Sequence, residues 1–188
     1  MNETLNTLLN RRSIRKYRHE PVAGELLEQI LTAGLYAPSA RNKQPWHLTV
    51  IRKKESLVRL TEEVRTATLR MPENPYAAMV QRDGYSVNFN APCMIIVSAD
   101  PAESLMVQAD CALLLGNMFL AAFSLGVGSC WVNQLGILSD EPGFRAVLDK
   151  LGVPSRNRVY GCAALGYPEG DYPVAALRRE GTVVYGEI

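Results

Sequence analysis

The sequence predicts an α+β domain in which a central, mixed β-sheet of four or five short strands is flanked by helices. Helical apolar periodicity alternates with short β-rich runs in the order α α β α β α β α β. Strands separated by helices favour parallel or mixed pairing with helices on both faces. A length of 188 residues suits one compact unit, so residues 1–188 are expected to form a single domain. With 47% apolar and 21% charged residues and no low-complexity tract, the chain can bury a core and falls outside the disordered class.

Leu5, Leu8 and Leu9, spaced i, i+3, i+4, predict a short amphipathic helix running into Arg11 and Arg12. Leu26, Leu27, Ile30, Leu31, Gly34 and Leu35 share one face of a second helix that begins after Pro21 and ends before Pro38. His47 to Arg52 reads as a strand, and Ser56 to Leu69 as a helix with Glu and Arg on its outer side. Met71-Pro-Glu-Asn-Pro75 breaks that pattern, and the weakly periodic, polar stretch to Asn90 reads as a mobile flap. Ala91 to Ser98 is a short apolar run bounded by Pro92 and Pro101, enough for one buried strand. Ala102 to Leu125 is apolar almost all round, interrupted by Gln108, Asp110 and Asn117, and belongs at the centre of the fold or of a subunit interface. Gly126 to Asn133 turns out of it into a strand, Asp140 to Leu151 is helical, and Arg158 to Leu165 is the last central strand. The tail from Asp171 to Ile188 carries Arg178 and Arg179 and a β-like Thr182-Val-Val-Tyr185.

Three stretches stand out chemically. In "RRSIRKYR", Arg11, Arg12, Arg15, Lys16 and Arg18 surround Ser13 in a chain whose net charge is only +1. Such density reads either as a phosphate-sized cationic site, since guanidinium forks match phosphate oxygens, or as a solvated helix end favoured by the helix dipole. The connector "YAPSARNKQPWHLTVI", residues 36–51, holds Ser39, Arg41, Asn42, Lys43 and Gln44 between Pro38 and Pro45. Ordinary connectors run to about four to six residues and carry fewer hydrogen-bonding side chains. In "GVGSCWVN", Gly126 and Gly128 hint at a dinucleotide fingerprint, but Trp131 stands where a third glycine is needed and the order is helix to strand. The glycines instead fit a helix C-cap and a tight turn that leaves backbone amides of 131–134 available.

Other chemistries fare badly. Cys93, Cys111, Cys130 and Cys162 form no C-x-x-C pair, and with only His19 and His47 beside them a zinc cage is not expected; buried reduced thiols in a cytosol are. No G-x-S-x-G occurs, and neither histidine has an obvious nucleophile. A near-neutral chain argues for neither nucleic acid nor an anionic membrane as partner. The N-terminal stretch lacks a signal-peptide pattern, and no apolar run approaches the roughly 20 residues of a membrane span. An enzyme of this composition would leave the hard chemistry to a cofactor.

Taken in order along nearly the whole chain, "RRSIRKYR", "APSARNKQPWHLTVI", "APCMIIV" before a long apolar helix, "LGVGSCWVN" after it, and "ALGYP" with a basic tail resemble the nitroreductase family of flavoenzymes. That resemblance implies a three-layer domain in a cytoplasmic, intertwined homodimer with two FMN sites at the subunit interface. It also implies ping-pong electron transfer from NADH or NADPH to a nitroaromatic, quinone or similar small acceptor, with no protein catalytic residue. Carried over by position, Arg11, Arg12, Ser13 and Arg15 match the motif for the FMN phosphate and ribityl chain. Pro38, Ser39, Ala40, Asn42 and Gln44 match the loop reaching the flavin of the other subunit. Trp131, Val132, Asn133 and Gln134 match the segment along the isoalloxazine, and Arg178 and Arg179 the basic tail closing on the phosphate.

The match has gaps. Ala40 replaces a serine common in the family, and the group expected at flavin N1 and O2 has only Arg65 and Arg70 as nearby cationic candidates. An offshoot that activates oxygen or removes halide, and a non-catalytic FMN-binding module, are the alternative readings.

Overall fold

The computed structural model describes residues 2–186 apart from Pro72. Its helices are α1 (Glu3–Asn10), α2 (Gly24–Leu35), α3 (Lys54–Leu69), α4 (Ala77–Val80), α5 (Val107–Ser124), α6 (Gln134–Ile137) and α7 (Pro142–Lys150). The strands are β1 (Trp46–Ile51), β2 (Cys93–Ala99), β3 (Gly128–Val132) and β4 (Arg158–Gly166). Local chemistry sets several boundaries. The Asn2 side chain accepts a bond from Leu5 N at 2.9 Å to open α1, and Glu141 accepts from Phe144 N to open α7, with Pro142 in the first turn. Gly126, at φ 72°, closes α5 in the left-handed region that the C-cap reading requires.

The strands form one sheet in the order β1-β2-β4-β3. The α+β, three-layer architecture is as expected, but the sheet is antiparallel at every strand pairing rather than mixed. β2 and β3, joined through α5, do run the same way, as a helical crossover predicts. β4 inserts between them, so neither finds a parallel neighbour; the parallel contact is a single bridge, Ser13 to Ser129.

Both faces of the sheet are covered. Along β2, Met94 and Ile96 point into a core with Leu57, Leu60 and Val64 of α3 and Phe144 and Leu148 of α7. Cys93, Ile95 and Val97 point the other way, toward Leu27 and Ile30 of α2 and Leu114, Leu115 and Met118 of α5. This two-residue alternation between buried faces explains why β2 is a continuous apolar run. Each such side chain contributes roughly 1.5–3 kcal/mol on burial.

α5 begins at Val107 rather than Ala102, because 101–106 is taken up by turns. It is long and apolar enough for a bilayer by length and composition, although the sequence shows no apolar run of that length. Its stripe from Val107 to Ala122 packs against the sheet, while Leu113 on the outer side is 48% exposed. The 71–90 segment is not a flap: Val80 and Val87 are buried, and turns around α4 pack it against α3. Pro72, part of the expected pattern break, lies outside the described residues. The β-like reading of Thr182–Tyr185 fails as well. The tail is exposed from Glu169 to Gly186 and pairs with no strand of its own chain, and β propensity without a ladder partner forms no strand.

Candidate functional site

The basic motif is laid along β3 by its two apolar residues. Ile14 and Tyr17 are buried, Ile14 N donates to Ser129 O at 2.9 Å, and Tyr17 bridges Pro168. Gly128 makes room: a Cβ there would lie 2.9 Å from Ile14 Cγ1. The Tyr17 hydroxyl donates to Ile14 O at 2.6 Å, and burial pushes its pKa far above the usual tyrosine range.

Anchored in this way, Arg11, Ser13 and Arg15 gather around the Cys130 thiol. Burial raises the Cys130 pKa, while the Arg15 and Arg11 charges and a hydrogen bond with Ser13 pull it back. Arg15 is exposed, its guanidinium 5.7 Å from the centre of the Phe89 ring. Arg12 behaves differently: Nη1 donates to Leu9 O and Arg11 O, both at 2.8 Å, so it closes the end of α1. Its Nε is buried without a partner.

The second group follows β3. Trp131 is 37% exposed and meets Phe119 edge-on at 6.3 Å, Val132 is buried in the sheet, and Asn133 is exposed at the start of α6. Gln134 is 4% exposed. Its Oε1 accepts from the Tyr85 hydroxyl at 2.8 Å, and its Nε2 is buried without a partner. Burial pushes the Tyr85 pKa up to about 12, against the opposing pull of the Gln134 bond and the Arg65 charge. Arg65, paired with Glu62 at 3.3 Å, lies 5.3 Å from the ring centre of Tyr85, Gln134's partner, whereas Arg70 pairs with Glu141 at 3.6 Å away from this group. Of the two cationic candidates, Arg65 alone reaches this group. Tyr85 and Phe89 had no signal in the sequence beyond being aromatic in a polar stretch.

The third group is the connector. Ala40 to Asn42 forms a single 3-10 turn, with Arg41, Asn42 and Gln44 at φ 53°, 53° and 46°. Three left-handed residues without glycine are strained and persist only where the surroundings hold them. Here Gln44 N donates to Ser39 Oγ at 2.9 Å, Gln44 Nε2 to Asn42 Oδ1 at 3.0 Å, and Ala40 N to Asp110 Oδ1 at 2.8 Å. Ser104 Oγ donates to the other oxygen of the buried Asp110 at 2.9 Å. Pro38 is exposed on the near side, and Pro45 is buried on the far side.

One chain does not bring the connector to the basic motif. Gln44 precedes Trp46, which pairs with Ala99 and through it with Arg158, at one end of β4. Ser13 bridges Ser129, which pairs with Leu165 near the other end. The interval from Arg158 to Leu165 spans roughly 23 Å at about 3.3 Å per residue. Arg178 and Arg179 are both exposed, and Arg178 Nη1 donates to Ala176 O at 3.2 Å. All four cysteines are free and buried, and among the described residues no cluster of His, Cys, Asp and Glu could hold a metal ion.

Comparison with known proteins places these features in company. A family model described as the nitroreductase family matches residues 8–167. A protein of Archaeoglobus fulgidus with the provisional name NADH dehydrogenase/NAD(P)H nitroreductase is 35% identical over 176 residues, covering 91% of this chain and 88% of its own. A crystal structure of a nitroreductase with bound FMN from Bacteroides fragilis is 38% identical, covers 100% of both chains and superposes with a TM-score of 0.93. Another, a nitroreductase with bound FMN from Desulfitobacterium hafniense, is 28% identical over 100% of both chains, with a TM-score of 0.88.

Proposed function

The chain belongs to the nitroreductase family, and from that premise we propose that it is an FMN-dependent oxidoreductase. In this reading it takes hydride from NADH or NADPH and reduces nitroaromatic, quinone or similar electrophilic acceptors in a ping-pong cycle. The observation that carries the reading is the convergence of Arg11, Ser13 and Arg15 beside β3, one strand length from Gln134 with its unpartnered amide. A buried donor without an acceptor costs about 1–3 kcal/mol, and a cofactor edge would supply the acceptor. The residues therefore suit a ligand with a phosphate at one end and a hydrogen-bonding ring at the other.

When bound, FMN would supply two-electron redox chemistry, which is why the chain needs no nucleophile or acid–base pair of its own. Arg11 and Arg15 hold the phosphate by charge-assisted hydrogen bonds, and Ser13 adds a hydroxyl. Arg12 stiffens the motif from behind through the α1 carbonyls. Trp131 to Gln134 line the ring, with the Tyr85 hydroxyl fixing the Gln134 amide so that Nε2 faces away from it as a donor. Arg65 provides a nearby cation to offset negative charge on the reduced cofactor.

The remaining wall comes from a second copy. Pro38, Ser39, Ala40, Asn42 and Gln44 of one protomer lie against the cradle of its partner, and Arg178 and Arg179 close on the phosphate once the tail is seated. The roughly 23 Å within one chain and the exposed Leu113 of α5 support this homodimeric reading. An anaerobic titration tests the activity: the protein should retain added FMN, and its flavin absorbance should bleach with NADH or NADPH and return with a nitroaromatic or quinone. A protein that binds no FMN would overturn the proposal; one that binds FMN but bleaches with neither donor would be the non-catalytic module.

A further inference from the structure

A groove of about 680 Å³ opens between the chain around His19, the start of α3 and the segment after Tyr85. It lies outside the cradle. Leu57 and Ala91 form a buried apolar floor with the 57% exposed Val58 on the lip. Arg52 and Lys54 supply positive charge to the lining, with the His19 imidazole as a further hydrogen-bonding group. Among the described residues none of these three has a carboxylate partner. Arg52 spends one nitrogen on Val22 O at 2.7 Å, which leaves its other donors uncommitted. The lining carboxylate, Glu62, is engaged by Arg65 at 3.3 Å.

The far wall is shared with the cradle. Tyr85 lines the groove and carries the Gln134 bond. Asn90 and Ala91 follow Phe89, whose ring lies under Arg15. Phe89 and Asn90 sit at φ 57° and 58°, so this partition is held in a left-handed bend at two non-glycine residues, the kind of strain that collects where a ligand is shaped. A volume in the range of small-molecule sites, an apolar floor at Leu57 and Ala91, and the charges of Arg52 and Lys54 suit an apolar ring bearing phosphate.

We infer that this groove receives the adenosine end of the nicotinamide donor, with Arg52, Lys54 and His19 reading its phosphates. The inference rests on the flavoenzyme reading above and adds the donor's own subsite to it. The additional 2′-phosphate adds negative charge for Arg52 and Lys54 to meet, so NADPH is preferred over NADH.

Calorimetry of the FMN-loaded protein with adenosine 2′,5′-bisphosphate tests it, because this probe has no nicotinamide and takes part in no electron transfer. Saturable binding is expected that weakens as salt is raised. Arg52→Ala with Lys54→Ala should weaken it by a factor of ten or more, as loss of charge-assisted phosphate contacts implies. Lys54→Glu, at an exposed position that no fold contact depends on, should do the same alone. In both variants the KM for NADPH should rise while kcat and FMN retention stay put. Failure of the probe to bind, or equal binding by wild type and Lys54→Glu, overturns the inference, and does so even if the flavin is retained and bleaches normally. Loss of FMN by the wild type would instead strike at the earlier reading.

Discussion

Replacing Asp110 by alanine should both destabilise the protein and loosen the connector that it holds. Asp110 is 2% exposed, and its two oxygens accept from Ala40 N at 2.8 Å and Ser104 Oγ at 2.9 Å. Hydrogen bonds to a charged acceptor are each worth about 1.5–3 kcal/mol. Their sum is an upper limit, since Ser104 Oγ retains a bond from Met106 N at 3.1 Å and Ala40 is only half-buried. A loss of about 2–4 kcal/mol is therefore expected for Asp110→Ala, and about 1 kcal/mol for Asp110→Asn, which keeps the shape and one acceptor. Urea unfolding of the FMN-free protein measures the stability change, and fluorescence quenching of FMN the change in affinity. Affinity should fall in both variants because the strained turn at Arg41 and Asn42 loses its anchor. An Asp110→Ala protein within 0.5 kcal/mol of wild type (about the scatter of neutral surface changes), with unchanged FMN affinity, would refute this role.

Arg15→Ala should weaken FMN roughly tenfold or more, while Arg70→Ala, whose side chain is paired with Glu141, should leave it unchanged in the same quenching assay. Gly161→Ala should destabilise by about 1–3 kcal/mol and shift the Trp131 emission, because the new Cβ would lie 2.5 Å from Trp131 Cζ2 and 2.8 Å from Leu115 Cδ1. Alkaline pH should unfold the protein early. Burial raises the Cys93 and Cys111 thiols from 9.0 to about 12 and Tyr85 from 10.0 to about 12. Each keeps its proton longer in the native than in the unfolded chain. Their stabilising contribution is thus complete below pH 9 and is lost between about pH 9 and 12. A urea midpoint flat across that window would contradict the burial of these groups.

Much of the fold was readable from periodicity alone. Leu27, Ile30 and Gly34 share the buried face of α2, and the unbroken apolar run of β2 reports a strand covered on both sides. Pairing direction was not readable, because helical spacing constrains how a connection travels but not which strand later inserts beside it; β4 occupies the place a parallel neighbour would have taken. At the site, "RRSIRKYR" marked the cradle, yet its five cations looked equivalent. Only the packing of Ile14 and Tyr17 decides that Arg11 and Arg15 converge on Cys130 and that Arg12 turns back to α1. Asp110 read as a polar interruption of an apolar helix, since its partners lie at Ala40 and Ser104 and no local pattern links them. Tyr85 was hidden for the same reason: its bond to Gln134 spans 49 residues of chain.

The central claim is that each FMN site is assembled from the cradle of one protomer and the connector of its partner. Arg15→Ala and Asn42→Ala chains, each expected to bind FMN weakly when alone, can be unfolded together and refolded as a mixture. In a mixed dimer one site then combines both lesions, and the other has an intact cradle facing an intact connector. Recovery of wild-type FMN affinity at one site per mixed dimer is the predicted result. A mixture that binds no more tightly than its two components would contradict a shared site.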